Sequence, residues 1–372
     1  MRVLHIISDW KWTGPAEPVV SLCEALYQEG VDVRIAYRKT PIDFPERTIE
    51  KEVKKRRIPF YEGFKLNRYF SIGDWIHDIC KIGAYCKKEK IEICHTHLSH
   101  DHVISFLSLY FRKNRPLIVR TDHKRDGLEK GFLSSLLVRR TDGIVTYSER
   151  IKRWDMERFG ISEEKIFVIP PGLNMKVGPL VDVRDQLGLK VGDKVIGVIG
   201  RLKVDRGYEI ILKAYKIVKK SFPNAKVVIM GRSSQMEKSV LKPISELGVK
   251  DGVILAGYRI DDYYSLIDSF DIFVMMRAGT DGSARALREV MAMGKPAIVS
   301  EMGMLPEIVK DGETGFVVPV DEKALAEKML ILLRNERLRK EMGEKAKKYA
   351  ESNWNYRNSA RMLISFYEKL LK

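Results

Sequence analysis

A chain of 372 residues is longer than one typical hydrophobic core supports, so two domains are expected. Hydrophobic residues at 45% and charged residues at 31% describe an ordinary soluble globular chain and exclude low-complexity and collagen-like classes, and no apolar run is long enough for a membrane-spanning helix. The formal charge of +16 points to a polyanionic partner, whether phospholipid headgroups, a phosphorylated acceptor or nucleic acid, although a Lys-rich surface that serves solubility, or a thermophile's charge usage, accounts for it too.

Apolar runs alternate with segments of helical period along the whole chain, the pattern of parallel sheets flanked by helices. The first strand is expected at 2–7, which leaves no room for a signal peptide. Cys23, Cys80, Cys86 and Cys94 lack paired ligand spacing and read as reduced, buried thiols of a cytoplasmic protein. The loop 8–17 carries Trp10, Trp12, Gly14 and Pro15; Pro18 then opens a helix that Gly30 ends, and a strand follows at 31–37. A dinucleotide oxidoreductase would show Gly-x-Gly-x-x-Gly in that first turn, and only Gly14 is present.

Residues 51–57 are a basic run, followed by Phe60, Tyr61, Phe64, Tyr69, Phe70 and Trp75. Cations interleaved with aromatics suit a membrane surface or an acceptor lipid, and a solvated loop beside core aromatics fits equally well. A short strand at 91–94 leads into His95, His97, His100 and His102. A His-x-His pair puts both rings on one strand face, as metal sites require, but neither Cys94 nor Asp101 stands at a recognised ligand spacing, and no metal is expected. Strands follow at 116–121 and 143–147. Between them, 127–140 reads as a helix with Leu128, Phe132, Leu136 and Leu137 apolar and Lys124, Arg125, Lys130, Arg139 and Arg140 around them. Such a helix can lie on an anionic membrane, and a packed surface helix is the commoner outcome. A strand at 165–169 closes the first half, and Pro170-Pro171-Gly172-Leu173-Asn174 has the composition of a hinge.

The second half opens with a strand at 195–199 that runs into Gly200-Arg201, then Arg206-Gly207 ahead of a helix from Tyr208. Arg201 thus stands at the carboxyl end of a strand, the edge where ligands meet α/β sheets, and two cations there can neutralise a diphosphate. The strand 225–230 ends in Gly231-Arg232-Ser233. The strand 252–256 ends in Gly257-Tyr258-Arg259-Ile260, and a short helix spans 261–270. A buried strand at 271–276 then feeds the loop Ala278-Gly279-Thr280-Asp281-Gly282-Ser283 and a helix, 284–293, that Gly294 ends. A glycine-rich loop at a helix N-terminus is an anion site, because free N–H groups and the helix dipole face the ligand. Asp281 and Glu289 flank it at a helical separation on the order of 10 Å. A ligand with a diphosphate between two hydroxyl-bearing groups, such as a nucleotide sugar, suits that spacing. Beyond Pro319 the chain reads as helical.

This stretch resembles the Glu-x7-Glu signature of the family 4 retaining glycosyltransferases, with Asp281 in place of the first Glu. Leu305-Pro306-Glu307-Ile308-Val309, Asp311-Gly312 and Thr314-Gly315-Phe316 fit the same family. So does Gly200-Arg201 with Arg206-Gly207, Arg206 replacing the family's Lys. The segment 170–174 resembles the family's junction, with Pro171 and Asn174 departing from it. In the first half Gly14 and His97 match.

The resemblance implies an α/β GT-B fold, two Rossmann-like domains with parallel sheets facing a central cleft. An acceptor-binding domain over 1–170 would receive a C-terminal helix of about 355–372, and 171–354 would bind the nucleotide sugar. It further implies a retaining, metal-independent transfer of a hexose from a nucleotide sugar, UDP-linked in preference to GDP- or ADP-linked, to a hydroxyl of a lipid-linked or lipopolysaccharide-type glycan. No cofactor is implied. His97, Arg201, Arg206 and Asp281 take the catalytic positions. Gly14, Tyr258, Arg259, Ile260, Gly282, Ser283 and Glu289 take those that bind the donor. The implied partners are the nucleotide sugar and the acceptor, with an anionic membrane surface as a further candidate and no nucleic acid, and the implied location is cytoplasmic or peripheral on the inner membrane face. A non-catalytic nucleotide-sugar-binding protein, and a sugar-nucleotide epimerase or hydrolase on the same fold, are the alternatives.

Overall fold

The apolar run at 2–7 is buried on both faces and forms β1 (Arg2–Ile7), in the interior of a seven-stranded parallel sheet. The chain is described here from a computed structural model that covers residues 1–12, 14–41, 48–69, 71–279 and 284–372. The other strands of this sheet are β2 (Asp32–Tyr37), β3 (Phe60–Tyr61), β4 (Ile93–Thr96), β5 (Leu117–Thr121), β6 (Gly143–Thr146) and β7 (Ile166–Val168), in the order β3-β2-β1-β4-β5-β6-β7. Every pairing is parallel, so each connection crosses over, and the order reverses between β1 and β4.

Helices α1 (Ala16–Gln28), α2 (Ile49–Lys55), α3 (Ile72–Lys88), α4 (Ser99–Leu109), α5 (Phe132–Arg140) and α6 (Glu149–Phe159) make those crossovers. On one face Val19, Val20 and Leu26 of α1 pack against Val3, Val33, Ile35 and Ile93. On the other, Ile82 and Cys86 of α3 and Ile104 and Leu109 of α4 meet Leu4, Ile6, Cys94 and Ile118.

The second sheet contains β8 (Lys194–Ile199), β9 (Ala225–Met230), β10 (Val253–Gly257), β11 (Ile272–Met275), β12 (Ala297–Ser300) and β13 (Gly315–Val318). Its order is β10-β9-β8-β11-β12-β13, again all parallel, with the reversal between β8 and β11. Helices α7 (Tyr208–Ser221), α8 (Lys242–Leu247), α9 (Tyr263–Asp268), α10 (Arg285–Ala292), α11 (Leu305–Ile308), α12 (Glu322–Arg334) and α13 (Glu336–Asn353) accompany it. Ile211, Leu212 and Tyr215 of α7 and Leu325, Met329 and Leu332 of α12 join Ile196, Val198, Val227, Ile272 and Ile298 in one core.

The last helix, α14 (Tyr356–Leu371), belongs to the first unit, which comprises Met1–Asn174 and Trp354–Lys372; the described residues of 175–353 form the second. Leu363, Phe366 and Tyr367 of α14 share a buried cluster with Val19 and Val20 of α1. Tyr356 donates to Glu17 Oε2 at 2.9 Å, and the Ser359 hydroxyl donates to the carbonyl of Pro170 at 2.8 Å.

Four sequence expectations are corrected here. The strand expected at 91–94 starts at Ile93 and runs to Thr96, because the Ile91 N–H closes the end of α3 on the Cys86 carbonyl at 2.9 Å. The helix expected over 127–140 begins only at Phe132: Gly127 has φ of +78°, and Asp155 holds the Leu128 N–H at 3.0 Å, which keeps the preceding segment out of helix. The helix expected over 261–270 spans Tyr263–Asp268, its last turn held by the Ser269 and Phe270 N–H groups turning back on the helix carbonyls. Cys80 is exposed on the outer face of α3, whereas Cys23, Cys86 and Cys94 are buried. Among the described residues no helix is long and apolar enough to cross a membrane.

Candidate functional site

In the second unit the reversal between β8 and β11 gathers polar residues at the carboxyl ends of the strands, the edge at which open α/β sheets take ligands. Glu289 lies on α10, buried to 3% exposure, and both carboxylate oxygens are engaged. Tyr263 of α9 donates its hydroxyl to Oε2 at 2.6 Å, and Arg285 donates Nε to Oε1 at 2.8 Å. Burial, and then the Glu289 carboxylate beside it, push the Tyr263 hydroxyl well above its usual range, so it stays a donor. Sequence reasoning missed Tyr263. It sits inside a short helix of ordinary composition, and no motif marks it.

Ala284, the residue at which α10 begins, has φ of +44°, a left-handed backbone that costs a non-glycine residue free energy. Strained backbone of this kind clusters at functional sites. Asp281, Gly282 and Ser283, the three site candidates just before Ala284 in the sequence, lie outside the described residues.

Arg206 ends a single 3₁₀ turn, Val204–Arg206, after β8. It is buried, donates Nη1 to the Ala278 carbonyl after β11, and lies 3.6 Å from Asp205. That bond ties the ends of β8 and β11 together and leaves a cation at the reversal point. Arg201, the second residue past β8, is exposed. Glycine is required behind it: the Gly231 Cα would direct a Cβ to within 1.8 Å of the Gly200 carbonyl oxygen.

Tyr258 and Ile260 after β10 are exposed, and the Arg232 guanidinium lies over the Tyr258 ring at 4.3 Å from its centroid. The pair forms a ready flat surface for a planar ring. Arg259 is turned inward instead, donating to the Ala256 carbonyl at 2.9 Å and to Asp262 at 2.7 Å.

In the first unit Gly14 lies in the exposed turn just before α1. His97 follows β4 and is buried. Its Nε2 meets His5 Nδ1 at 2.9 Å and its Nδ1 meets His123 Nε2 at 3.1 Å, so both ring nitrogens are already hydrogen-bonded. Burial, then the neighbouring imidazoles and Arg120, hold His97 well below the usual histidine range, and the ring is neutral. The Asp101 carboxylate fixes the loops around it, accepting from the backbone N–H of Ser8 and Leu98, each at 2.8 Å, and of His97 at 3.2 Å. Sequence reasoning did not bring His5 or His123 to His97. Their spacing in the chain carries no signal, and only the parallel pairing of β1 with β4 and β4 with β5 does.

Among the described residues, His5, His95 and His97 form a group close enough to share a metal ion, with ligand atoms within 4.8 Å of one another. Each of their ring nitrogens has a hydrogen-bond partner, so the group is satisfied as it stands.

Residues 13–177 match the family described as Glycosyltransferase Family 4, and residues 182–349 match Glycosyl transferases group 1. The spore coat protein SA of Bacillus subtilis (strain 168) is 28% identical over 61% of this chain and 64% of its own length, so the match spans less than two thirds of that relative. The phosphatidyl-myo-inositol mannosyltransferase of Mycobacterium leprae (strain TN) is 26% identical over 88% of this chain and 85% of its own. Among solved structures, the Anabaena protein HepE, crystallised in complex with UDP, superposes with a TM-score of 0.80 at 17% identity, over 99% of this chain and 100% of that one, a likeness of fold. The two family matches follow one another along nearly the whole chain, on two parallel sheets of the order described above; the chain belongs to the family 4 glycosyltransferases, which have the GT-B fold.

Proposed function

We propose that this chain transfers a sugar from a nucleotide-sugar donor to an acceptor hydroxyl. The observation that carries the reading is Glu289, a buried carboxylate on the helix that follows β11, held by Tyr263 and Arg285. A carboxylate held this way suits the two ribose hydroxyls of a nucleotide, which it can accept in place of its present donors. UDP is the favoured nucleotide, supported by the UDP complex of the Anabaena protein.

The roles follow from chemistry. Arg201 and Arg206, with the backbone of Gly282 and Ser283, would hold the diphosphate and take up its charge as it leaves. Tyr258 and Ile260 would face the base, with Arg259 bracing their turn. Gly14 would let the backbone before α1 approach the diphosphate. Asp281 and His97 would position the transferred sugar. The bond from the anomeric carbon to phosphate oxygen breaks and the bond to the acceptor oxygen forms. On the front-face route the leaving phosphate takes the acceptor's proton, and the anomeric configuration is retained. The sequence contains no Asp-x-Asp to hold a bridging metal, which supports transfer without one. The proposed acceptor is a lipid-linked or lipopolysaccharide-type glycan. A mannosyltransferase of phosphatidyl-myo-inositol among the relatives supports that class. The net charge of +16 supports work at an anionic, cytoplasmic membrane face.

A thermal-shift screen against UDP, GDP, ADP and CMP, each free and as sugar conjugates, with EDTA present, tests this. A ligand that binds only the folded chain raises its melting temperature. A shift with one nucleotide names the base. No shift with any member of the panel overturns the reading in favour of a non-catalytic GT-B protein.

A further inference from the structure

Seven buried side chains of the first unit form one continuous hydrogen-bond chain. It starts at the Thr121 hydroxyl, which meets His95 Nε2 at 2.6 Å. His95 Nδ1 bonds the Tyr367 hydroxyl, which lies 3.4 Å from His5 Nε2. His5 Nδ1 meets His97 Nε2 at 2.9 Å, and His97 Nδ1 meets His123 Nε2 at 3.1 Å. The His123 Nδ1 then meets the Tyr147 hydroxyl at 2.7 Å. Residues from β1, β4, the ends of β5 and β6, and the last helix contribute, and each is 8% exposed or less.

Proton counting restricts this chain severely. A neutral imidazole has one N–H and one bare nitrogen, so each ring must donate on one side and accept on the other. The Tyr367 hydroxyl has a single proton, so it can donate to only one of its two rings, and where it accepts from both its own proton finds no acceptor in the chain. With neutral rings, only two arrangements satisfy every link and also give the Tyr367 proton an acceptor. If Tyr147 donates, all four rings carry their proton on Nε2. If Thr121 donates, all four carry it on Nδ1. No mixed set works. Burial keeps the rings neutral, with His5 and His123 lowered to about 3.

We propose that His97 acts as one ring of this chain, and that Tyr367 and Thr121 are positioning residues that fix its tautomer for the transfer reaction. The proposal rests on the reading of His97 as a contact to the transferred sugar. It adds a requirement on the ligand group. A sugar hydroxyl both donates and accepts, so it can enter beside His97 without reversing any ring. A carboxylate accepts only and an ammonium donates only, so either one placed between His97 and His123 would reverse the rings on one side of it.

The test is tautomer-resolved NMR of the full chain labelled with ¹⁵N-histidine, with Tyr367→Phe and Thr121→Val as variants and UDP-glucose turnover as the kinetic readout. The expected native result is one common tautomer for His5, His95, His97 and His123, unchanged between pH 6 and 8. Tyr367→Phe should release at least one flank into mixed tautomers and lower kcat about tenfold while leaving the UDP-glucose KM within about twofold, the effect of losing one buried hydrogen bond. Thr121→Val, nearly the same shape, should give the same pattern more weakly if Tyr367→Phe fails to fold. A mixed set of tautomers in the native chain overturns the proposal, as does a Tyr367→Phe variant in which tautomers and kcat both stay as they were. His97→Ala that turns over UDP-glucose at the native rate overturns the role of His97 instead. The tautomer result needs no donor and judges the chain by itself.

Discussion

Tyr263 and Glu289 come from different helices, and the 2.6 Å bond between them fixes one oxygen of the carboxylate while Arg285 fixes the other. Tyr263→Phe removes one donor to a buried charge, a loss of about 1.5–3 kcal/mol for a hydrogen bond to an ionised group. UDP affinity is expected to fall roughly tenfold or more with kcat little changed. Glu289→Gln should weaken UDP binding as well, because the charge-assisted contact to the ribose is lost. Calorimetric titration with UDP reads both. Native affinity in both variants would remove Glu289 from the nucleotide site.

Arg206 is expected to behave differently. Its guanidinium is buried at the strand reversal and would meet charge that grows only as the diphosphate leaves. Arg206→Ala should lower kcat by about 10²–10³, the usual cost of losing one donor to a developing oxyanion, with a smaller change in donor affinity. Steady-state kinetics separates the two. A fall in donor affinity alone would sink the leaving-group role.

Buried histidines set the acid limit of the fold. Burial lowers His5, His102 and His123 to about 3 and His100 to about 4, and holds His95 and His97 well below 6.5. Below the unfolded value the unfolded chain binds protons that the folded chain refuses. Stability is therefore full above about pH 7.5 and falls as pH drops toward 4, by up to about 1.4 kcal/mol per pH unit per ring.

The Asp122 and Asp155 pair acts oppositely. Burial raises them to about 6 and about 7, so the folded chain keeps a proton that the unfolded one releases, and their contribution is lost as pH rises through those values. Urea midpoints should drop steadily from pH 7.5 to 5, since the rings outnumber the pair. Asp155→Asn should raise the midpoint at pH 8 and leave that at pH 5 nearly unchanged. A flat profile would contradict the burial of neutral rings.

Gly231 gives a test by shape. Its φ is +154°, its N–H donates to Gly257 at 2.8 Å, and a methyl there would strike the Gly200 carbonyl. Gly231→Ala must displace the segment that carries Arg201. A loss of about 2–4 kcal/mol is expected, which lowers the melting temperature by several degrees. An unchanged melting temperature would show that this segment yields freely.

Period and punctuation made much of the fold legible. The strands at 2–7 and 225–230 and the helix start at Tyr208 stand where the apolar pattern puts them, because each is bounded by turn residues and buried on the expected faces. Two misplaced ends are set by local backbone bonds that close a helix, and one has a tertiary cause. Asp155, distant in sequence, takes the Leu128 N–H and delays a helix that periodicity would start earlier. The site was partly legible for the same reason. Arg206 and Glu289 stand in local motifs, whereas Tyr263, His5 and His123 reach their partners only through strand order and helix packing. The partner of Glu289 is therefore a fact of geometry that no local pattern in the chain records.

The return of α14 to the first sheet has a consequence during protein synthesis. Val19, Val20 and Cys23 are made before the second unit, yet part of their cover, Leu363, Phe366 and Tyr367, leaves the ribosome after it. At roughly 5–20 residues per second the nascent chain waits on the order of twenty to seventy seconds with that apolar face incomplete. The residues of the second unit are all synthesised within this interval. The second unit can therefore be finished before the first, and a chaperone that shields the early apolar face would be needed only until the final helix emerges.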